Sequence, residues 1–461
     1  MTARPRLKPL DQQAIVITGA TSGIGLATAR RAAHAGACVF LIARGEHDLQ
    51  KLCEELQGEG ARIAYAVADV ADHDALMEAA DKCRRLFGGF DTWINNAGVS
   101  IYGPIRETTL EDQRRLFDTN YWGVVNGSLV AVEHLRERSQ GGVVINVGSV
   151  LSDAPVPVQG VYSASKHAVK GFTNALRMEL IREGAPIAVS LVKPSSIDTP
   201  YTRHARNLTG SGVRNPSPVY APHVVAEAIL HCATHRVREI TVGSGGRAMA
   251  SFYSMLPGLA EPVFARLGPK AMRDRYSSDR PADDGLYDPT EDGLYEEEEA
   301  PYHMVRQFSV LSQARMHPGV TLGTLALVAI GAVGAILLAQ RTGPTRFERF
   351  KARLDPRAWG LDEAGGRARD FAERTGSGAS DWLRRALDAV PAERIEAEVG
   401  RAGKTLKSGA RRTGKYAREH AKEGGALLAL ATIAAAVGAA AMQDLGRGEQ
   451  SRLRQAKRIR F

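Results

Sequence analysis

An α/β fold on a parallel sheet is what this 461-residue sequence predicts for residues 11–245, and three observations predict it. Short β-rich apolar runs alternate with helical patterns from Ala14 to about Gly243, an order that implies strand–helix–strand crossovers. Each run is apolar nearly throughout rather than at every second residue, as in strands covered on both faces. A glycine cluster follows the first run directly, where strand gives way to helix.

Taken in order, the first strand is "AIVITGA", and Gly19, Gly23 and Gly25 follow it at the start of the helical stretch "GIGLATARRAAHAGA". Glycines let the backbone turn tightly and approach a pyrophosphate, whose charge a helix N-terminus favours. The second strand, "CVFLIAR", ends on Ala43 and Arg44. The third, "RIAYAVADV", closes with Asp69, a carboxylate suited to an adenine amino group. After the helix "ALMEAADKCRRLFGG", the fourth strand "DTWINNAG" ends in Asn95–Gly98, whose backbone can line a nucleotide cleft. The fifth, "VVINVGS", ends on Ser149, and "YSASK" follows with Tyr162 and Lys166 four apart, on one face of a helix. "IAVSLVKP" and "EITVG" are the sixth and seventh strands.

The chemistry of the last cluster is acid–base. A free phenol titrates near 10, too high for proton transfer at neutral pH. A neighbouring ammonium, with a nicotinamide cation close by, favours phenolate and lowers that value. Ser149, thirteen residues before Tyr162, stands at the mouth of the same sheet, where a hydroxyl can hold a carbonyl oxygen.

This set of motifs, in this order, resembles the short-chain dehydrogenase/reductase family over about residues 11–245. The resemblance implies a doubly wound sheet of seven parallel strands and hydride transfer between a nicotinamide and a substrate carbon. By the same resemblance Tyr162 is the general acid/base and Lys166 holds the nicotinamide ribose and tunes the phenol. Ser149 orients the carbonyl, and Asn120, in "FDTNYWG", completes a tetrad by holding a water for the proton relay. Gly19, Thr21, Ser22, Gly23, Ile24 and Gly25 form the cofactor turn. Asp69, Val70, Asn96, Ala97, Gly98, Pro194, Ile197 and Thr199 continue the cleft. The family often has glycine after the proline of the sixth strand; here Ser195 follows Pro194, which implies a changed loop with Thr199 still at the carboxamide. An acid at the end of the second strand would bind a ribose 2′-hydroxyl and repel a 2′-phosphate. Arg44 can instead pair with that phosphate, so NADP(H) is favoured, with NAD(H) possible and a solvated arginine as the plain alternative. Residues 201–222 stand where the family carries a substrate lid, and Val156, Val158, Tyr201 and Tyr220 are expected to wall the substrate pocket. Homodimers or homotetramers are the family's usual assemblies.

The remaining sequence divides as a basic arm (1–10), a helical extension (246–280), an acidic linker with "DGLY" twice (281–317), an apolar span (318–340), a basic amphipathic region (341–423), a second apolar stretch (424–443) and a basic tail (444–461). The linker has too little hydrophobicity to fold alone and reads as solvated. Within 246–280, Phe252, Met255, Leu256 and Leu259 share a helical side, expected either to pack on the sheet domain or to lie in a membrane surface. Residues 319–340 carry no charge; as a helix they reach roughly 33 Å, against a bilayer core of about 30 Å. A transmembrane anchor holding a cytoplasm-facing domain is the expectation, and 424–443 is a candidate second span. The net charge of +9 is concentrated late, with no nucleic-acid motif, so anionic lipid is the expected partner. The four cysteines are widely spaced; they suggest buried thiols of a reducing compartment rather than zinc or disulfides, and no metal site is expected. The N-terminus has no apolar run of the kind a signal peptide carries.

Together these features point to an NADP(H)-dependent oxidoreductase interconverting a carbonyl and a secondary alcohol on a lipophilic substrate at a membrane. Two rivals use the same residues: a non-catalytic membrane-anchored NADP(H)-binding scaffold or sensor, and an epimerase or dehydratase built on the Tyr–Lys pair.

Overall fold

The computed structural model describes residues 5–274, 284–290, 293–297 and 304–317. Seven strands form its main sheet: β1 (Ala14–Thr18), β2 (Cys38–Ala43), β3 (Ile63–Val67), β4 (Thr92–Asn95), β5 (Gly142–Val147), β6 (Ile187–Pro194) and β7 (Glu239–Val242). Their order is 3-2-1-4-5-6-7 and every pairing is parallel. The chain runs outward from β1 to β3, then returns to place β4 on the other side of β1. That reversal opens a crevice beyond the carboxyl ends of β1 and β4, where ligands of such sheets bind.

Helices cover both faces, which is why the strands lack polar alternation. Ile15 and Ile17 of β1 face a layer made by α1 (Gly23–His34), α2 (Glu46–Gly58) and α7 (Pro222–Thr234). Val16 faces the opposite layer, made by α3 (His73–Phe87), α5 (Gly123–Glu137) and α6 (Gly160–Glu183). Between them in sequence, α4 (Leu110–Phe117) runs into a wide π turn, Asp118–Trp122, before α5 begins. Local signals set the ends: Asp72 caps α3 by accepting from the Ala75 amide, and Gly88, at φ 73°, stops it. Three of the four cysteines are buried, and all four are unpaired.

The helical extension is α8 (Ser244–Met255) and α9 (Pro257–Met272), which rest on the open end of the sheet. The described parts of 281–317, which are 284–290, 293–297 and 304–317, are docked on the domain rather than solvated as expected. Leu286 has 0% exposure and Leu294 packs against the main core. Val305–Arg306 pair with Val219–Tyr220, and α10 (Val310–Met316) buries Ser312 and Met316. The leucine of each "DGLY" copy packs into an apolar cluster of the domain, and acids in or beside the copies meet its bases, as in Arg206–Asp284 and Arg30–Glu296. Composition counted the charges and missed their partners. Residues 1–317 form one compact unit. Among the described residues no helix is long and apolar enough to cross a membrane. Both expected spans, with 341–423 and 444–461, lie outside the described residues.

Candidate active site

The glycine turn is locked to the neighbouring strand. Asn96 Nδ2 donates to the carbonyls of Thr18 and Gly19, both at 3.0 Å, while Thr18 Oγ1 accepts from the amides of Asn96 and Ala97. Gly19 sits at φ 64° and Gly23 at φ 51°, values that side chains rarely tolerate. A Cβ at Gly25 would lie 1.9 Å from the Gly19 carbonyl oxygen. The first turn of α1 thus begins in a cradle that side chains would fill, and Ser22 at its N-cap makes no side-chain cap. Its shape fits a dinucleotide pyrophosphate, although the Gly23 amide is occupied by the Tyr295 carbonyl at 2.9 Å. Thr21, Ser22 and Ile24 are half-buried along it.

Tyr162 and Lys166 stand on the first turns of α6, facing the end of β5. The Tyr162 ring lies edge-on to Tyr201, with centroids 5.6 Å apart, and Tyr162 and Ser149 line the same cavity, so both expected residues open into one space. Ser149 is fixed because its Oγ also accepts from the Leu151 amide at 3.1 Å, capping the short turn Val150–Ser152. Lys166 Nζ donates to the Val147 carbonyl at 3.1 Å and lies 5.7 Å from the centre of the Tyr162 ring. Asn120 sits within the π turn with its side chain engaged: Oδ1 accepts from the Val99 amide, and Nδ2 donates to the Val99 carbonyl and to Ser165. It holds the Gly98–Val99 corner in place.

The direction of the Tyr162 titration differs from the sequence expectation. Burial raises its pKa, and the hydrogen bonds with Tyr201 and Ser149 only partly offset that. Burial also lowers Lys166 to about 8, which leaves it charged at neutral pH. In the chain alone desolvation decides the direction, against the lowering expected from the lysine neighbour.

The cavity, about 460 Å³, has a polar floor and an apolar wall. Ile24, Asn96, Gly98, Pro194, Ile197 and Thr199 reach it from the cofactor side, as expected, together with Ser149, Tyr162 and Lys166. Val156 and Tyr201 line it, but two expected substrate residues do not. Tyr220 is 1% exposed in the main core, its hydroxyl bonded with Ser244. Val158, at φ 60°, packs with Tyr102 and Met272 instead. Ser195 lines the cavity where glycine is usual, and its amide still donates to the Val242 carbonyl at 2.9 Å. The sequence reading missed Gln159, which donates to Ser100 and Tyr201, and the α8–α9 wall of Met249, Val263, Phe264 and Leu267. The apolar spacing in "GLAEPVFARLG" was the available signal.

At the adenosine end the expected residues are present with unexpected partners. Asp69 accepts from the Ala71 amide and pairs with Arg115 at 2.6 Å. Burial works to raise its pKa, but these contacts prevail and hold the carboxyl below its ordinary value. Val70 packs against the space beside Gly123. Arg44, expected to face solvent or phosphate, donates to the carbonyls of Gly285, Tyr287 and Asp288.

Comparison with known proteins gives a consistent result. The short chain dehydrogenase family pattern matches residues 13–209. An uncharacterized oxidoreductase, YxnA of Bacillus subtilis, is 42% identical over 288 residues, which are 61% of this chain and 80% of that protein. Sulfoacetaldehyde reductase 2 of Chromohalobacter salexigens is 37% identical over 225 residues, 48% of this chain and 88% of its own. A crystal structure of a short chain dehydrogenase/reductase from Burkholderia phymatum in complex with NAD superimposes with a TM-score of 0.51 at 26% identity, covering 55% of this chain and 96% of that one.

Proposed function

Given that this chain belongs to the short chain dehydrogenase family, and is by that kinship a dehydrogenase/reductase enzyme, we propose that it interconverts a carbonyl and a secondary alcohol on a lipophilic substrate, with NADP(H) as partner. One observation carries the reaction: Ser149, Tyr162 and Lys166 all line the polar floor of one cavity.

The substrate carbonyl oxygen accepts hydrogen bonds from Ser149 and Tyr162. A bound nicotinamide supplies the hydride to the carbonyl carbon, or receives it in the reverse direction. Tyr162, kept protonated by burial, gives its proton to the oxygen as negative charge develops there. Lys166, charged below about pH 8, stabilises the phenolate left behind. Asn120 positions the Gly98 corner beside Lys166, and a water held near it returns the proton.

The preference for NADP(H) is supported by Arg44, a cation at the end of β2 where a carboxylate would repel a 2′-phosphate. A lipophilic substrate is supported by the apolar wall. On the outer side of that wall Met255, Leu259 and Leu267 are 77%, 61% and 58% exposed. Leu267 and Val263 belong both to that face and to the cavity lining. The face suits a lipid surface that delivers substrate directly, and the charge-free run 319–340 follows it in the sequence. A panel of short and long ketones, offered in buffer and in phosphatidylcholine vesicles with NADPH or NADH, tests the reading. Net NADPH consumption that rises with chain length and with vesicles is expected. Recycling of the hydride without net consumption would instead indicate epimerase chemistry, and preference for small charged aldehydes would remove the lipophilic reading.

A further inference from the structure

The acidic segment wraps the adenosine side of the site as a strap. Residues 284–290 begin against the loop after β6, where Arg206 pairs with Asp284 at 2.8 Å and the Gly285 amide donates to the His204 carbonyl. Leu286 is enclosed with Val99, Ile101, Leu116 and Val161. Arg44 then donates Nη2 to the Gly285 carbonyl at 2.6 Å, Nη1 to Tyr287 at 2.7 Å and Nη2 again to Asp288 at 3.3 Å. Arg115 Nε donates to the Leu286 carbonyl at 3.0 Å, and the Tyr287 hydroxyl donates to Asp112 at 2.9 Å. In residues 293–297, the second "DGLY" copy sets the Tyr295 carbonyl on the Gly23 amide at 2.9 Å, beside an Arg30–Glu296 pair. The strap thus meets Arg44 at the end of β2 and the Gly23 amide of the glycine turn directly, and reaches Asp69 beyond β3 through Arg115, so it lies along the adenosine and pyrophosphate positions of a dinucleotide.

We infer that residues 284–290 of this strap set cofactor choice: their carbonyls take the Arg44 N–H groups that a 2′-phosphate needs, so NADP(H) binds by displacing them, whereas NAD(H), which makes no demand on Arg44, leaves them in place. The Tyr295 carbonyl on the Gly23 amide yields to the pyrophosphate of either cofactor. The inference rests on the reading of Arg44 as the phosphate receptor. A guanidinium bonds a phosphate dianion more strongly than neutral carbonyls, so the exchange is favourable at Arg44. It is opposed by re-exposing Leu286 and by the acids at 284 and 288, which stand near the incoming charge. Apparent NADP(H) affinity is therefore the intrinsic affinity reduced by the strap-open fraction.

The test measures binding of NADPH and of NADH to the full chain by titration calorimetry, for wild type, Leu286→Ala, Tyr287→Phe and Arg44→Ala. Loosening the strap with Leu286→Ala is expected to tighten NADPH by about fivefold or more and leave NADH within about twofold. Tyr287→Phe, which removes one hydroxyl and no core volume, shifts NADPH the same way by less and guards against misfolding of the alanine variant. Hydrogen exchange at residues 284–290 should accelerate with NADPH and not with NADH. If both strap variants leave NADPH affinity unchanged, or weaken both cofactors alike, the strap inference is overturned. Arg44→Ala separates the two levels. Unchanged NADPH affinity there overturns the phosphate-receptor reading itself, while a loss of NADPH affinity without any strap effect overturns only the strap.

Discussion

The two walls of the cavity are made by different means. The polar wall is assembled from strand ends and the first turns of α6, and each group is tied to backbone: Ser149 by the Leu151 amide, Lys166 by the Val147 carbonyl, Asn120 by both polar groups of Val99. The opposite wall is two helices appended after the sheet is complete. Within them only Ala250, Ala260 and Met272 are buried, and one face remains open. Under the proposed reaction, the contrast separates the proton-transfer groups from the surface that meets the substrate. A sheet fixes the positions of its strand ends to within a hydrogen bond, which proton transfer demands. A helical pair held by a few contacts can change its lining without disturbing them.

Substitutions on the first wall should therefore lower turnover for every substrate, and those on the second should reorder substrates. The largest effect is expected from Tyr162→Phe, which removes the transferred proton. Turnover should fall by roughly 10²–10⁴-fold for all ketones with NADPH binding intact; residual activity near wild type would end the division between walls. Gly25→Ala comes next. A Cβ placed 1.9 Å from the Gly19 oxygen forces the cradle apart, so cofactor affinity should drop beyond detection by calorimetry and stability should fall by roughly 1–3 kcal/mol in urea unfolding.

Lys166 sharpens the comparison through pH. Its pKa is about 8 folded, below the roughly 10.4 of an unfolded lysine. Between these values the unfolded chain binds the extra proton, so this group makes stability rise with pH across that window. Reduction should move the other way, declining as pH passes about 8 and the ammonium is lost. Lys166→Met should flatten both trends; an unchanged pH–rate curve in that variant would assign the step to another group. The smallest effect belongs to the apolar wall. Phe264→Ala should change kcat/KM for long-chain ketones by about tenfold and for short ones hardly at all. A uniform loss across chain lengths would mean that the walls are not independent.

How much was legible follows the range of the interactions. Gly19, Gly23 and Gly25 announced their turn because the steric need is local, and Tyr162 and Lys166 shared a face because helical spacing is local. Tyr220 looked like a lid residue, but its ring lies in the main core beside Val224 and Ile240, a contact no spacing encodes. The lysine neighbour of Tyr162 suggests a lowered pKa, while the surrounding protein, through burial, raises it.

The sequence by itself determined the order of strands and helices, the glycine cradle and the shared helical face of Tyr162 and Lys166, since each depends on neighbours a few residues apart. The tertiary structure alone decided that Arg44 meets the Tyr287 carbonyl, 243 positions away, that an acidic stretch is a docked strap, and that two late helices wall the cavity. Those outcomes depend on which distant surfaces can exclude water together. Composition counts the groups available for that, and only the folded chain pairs them.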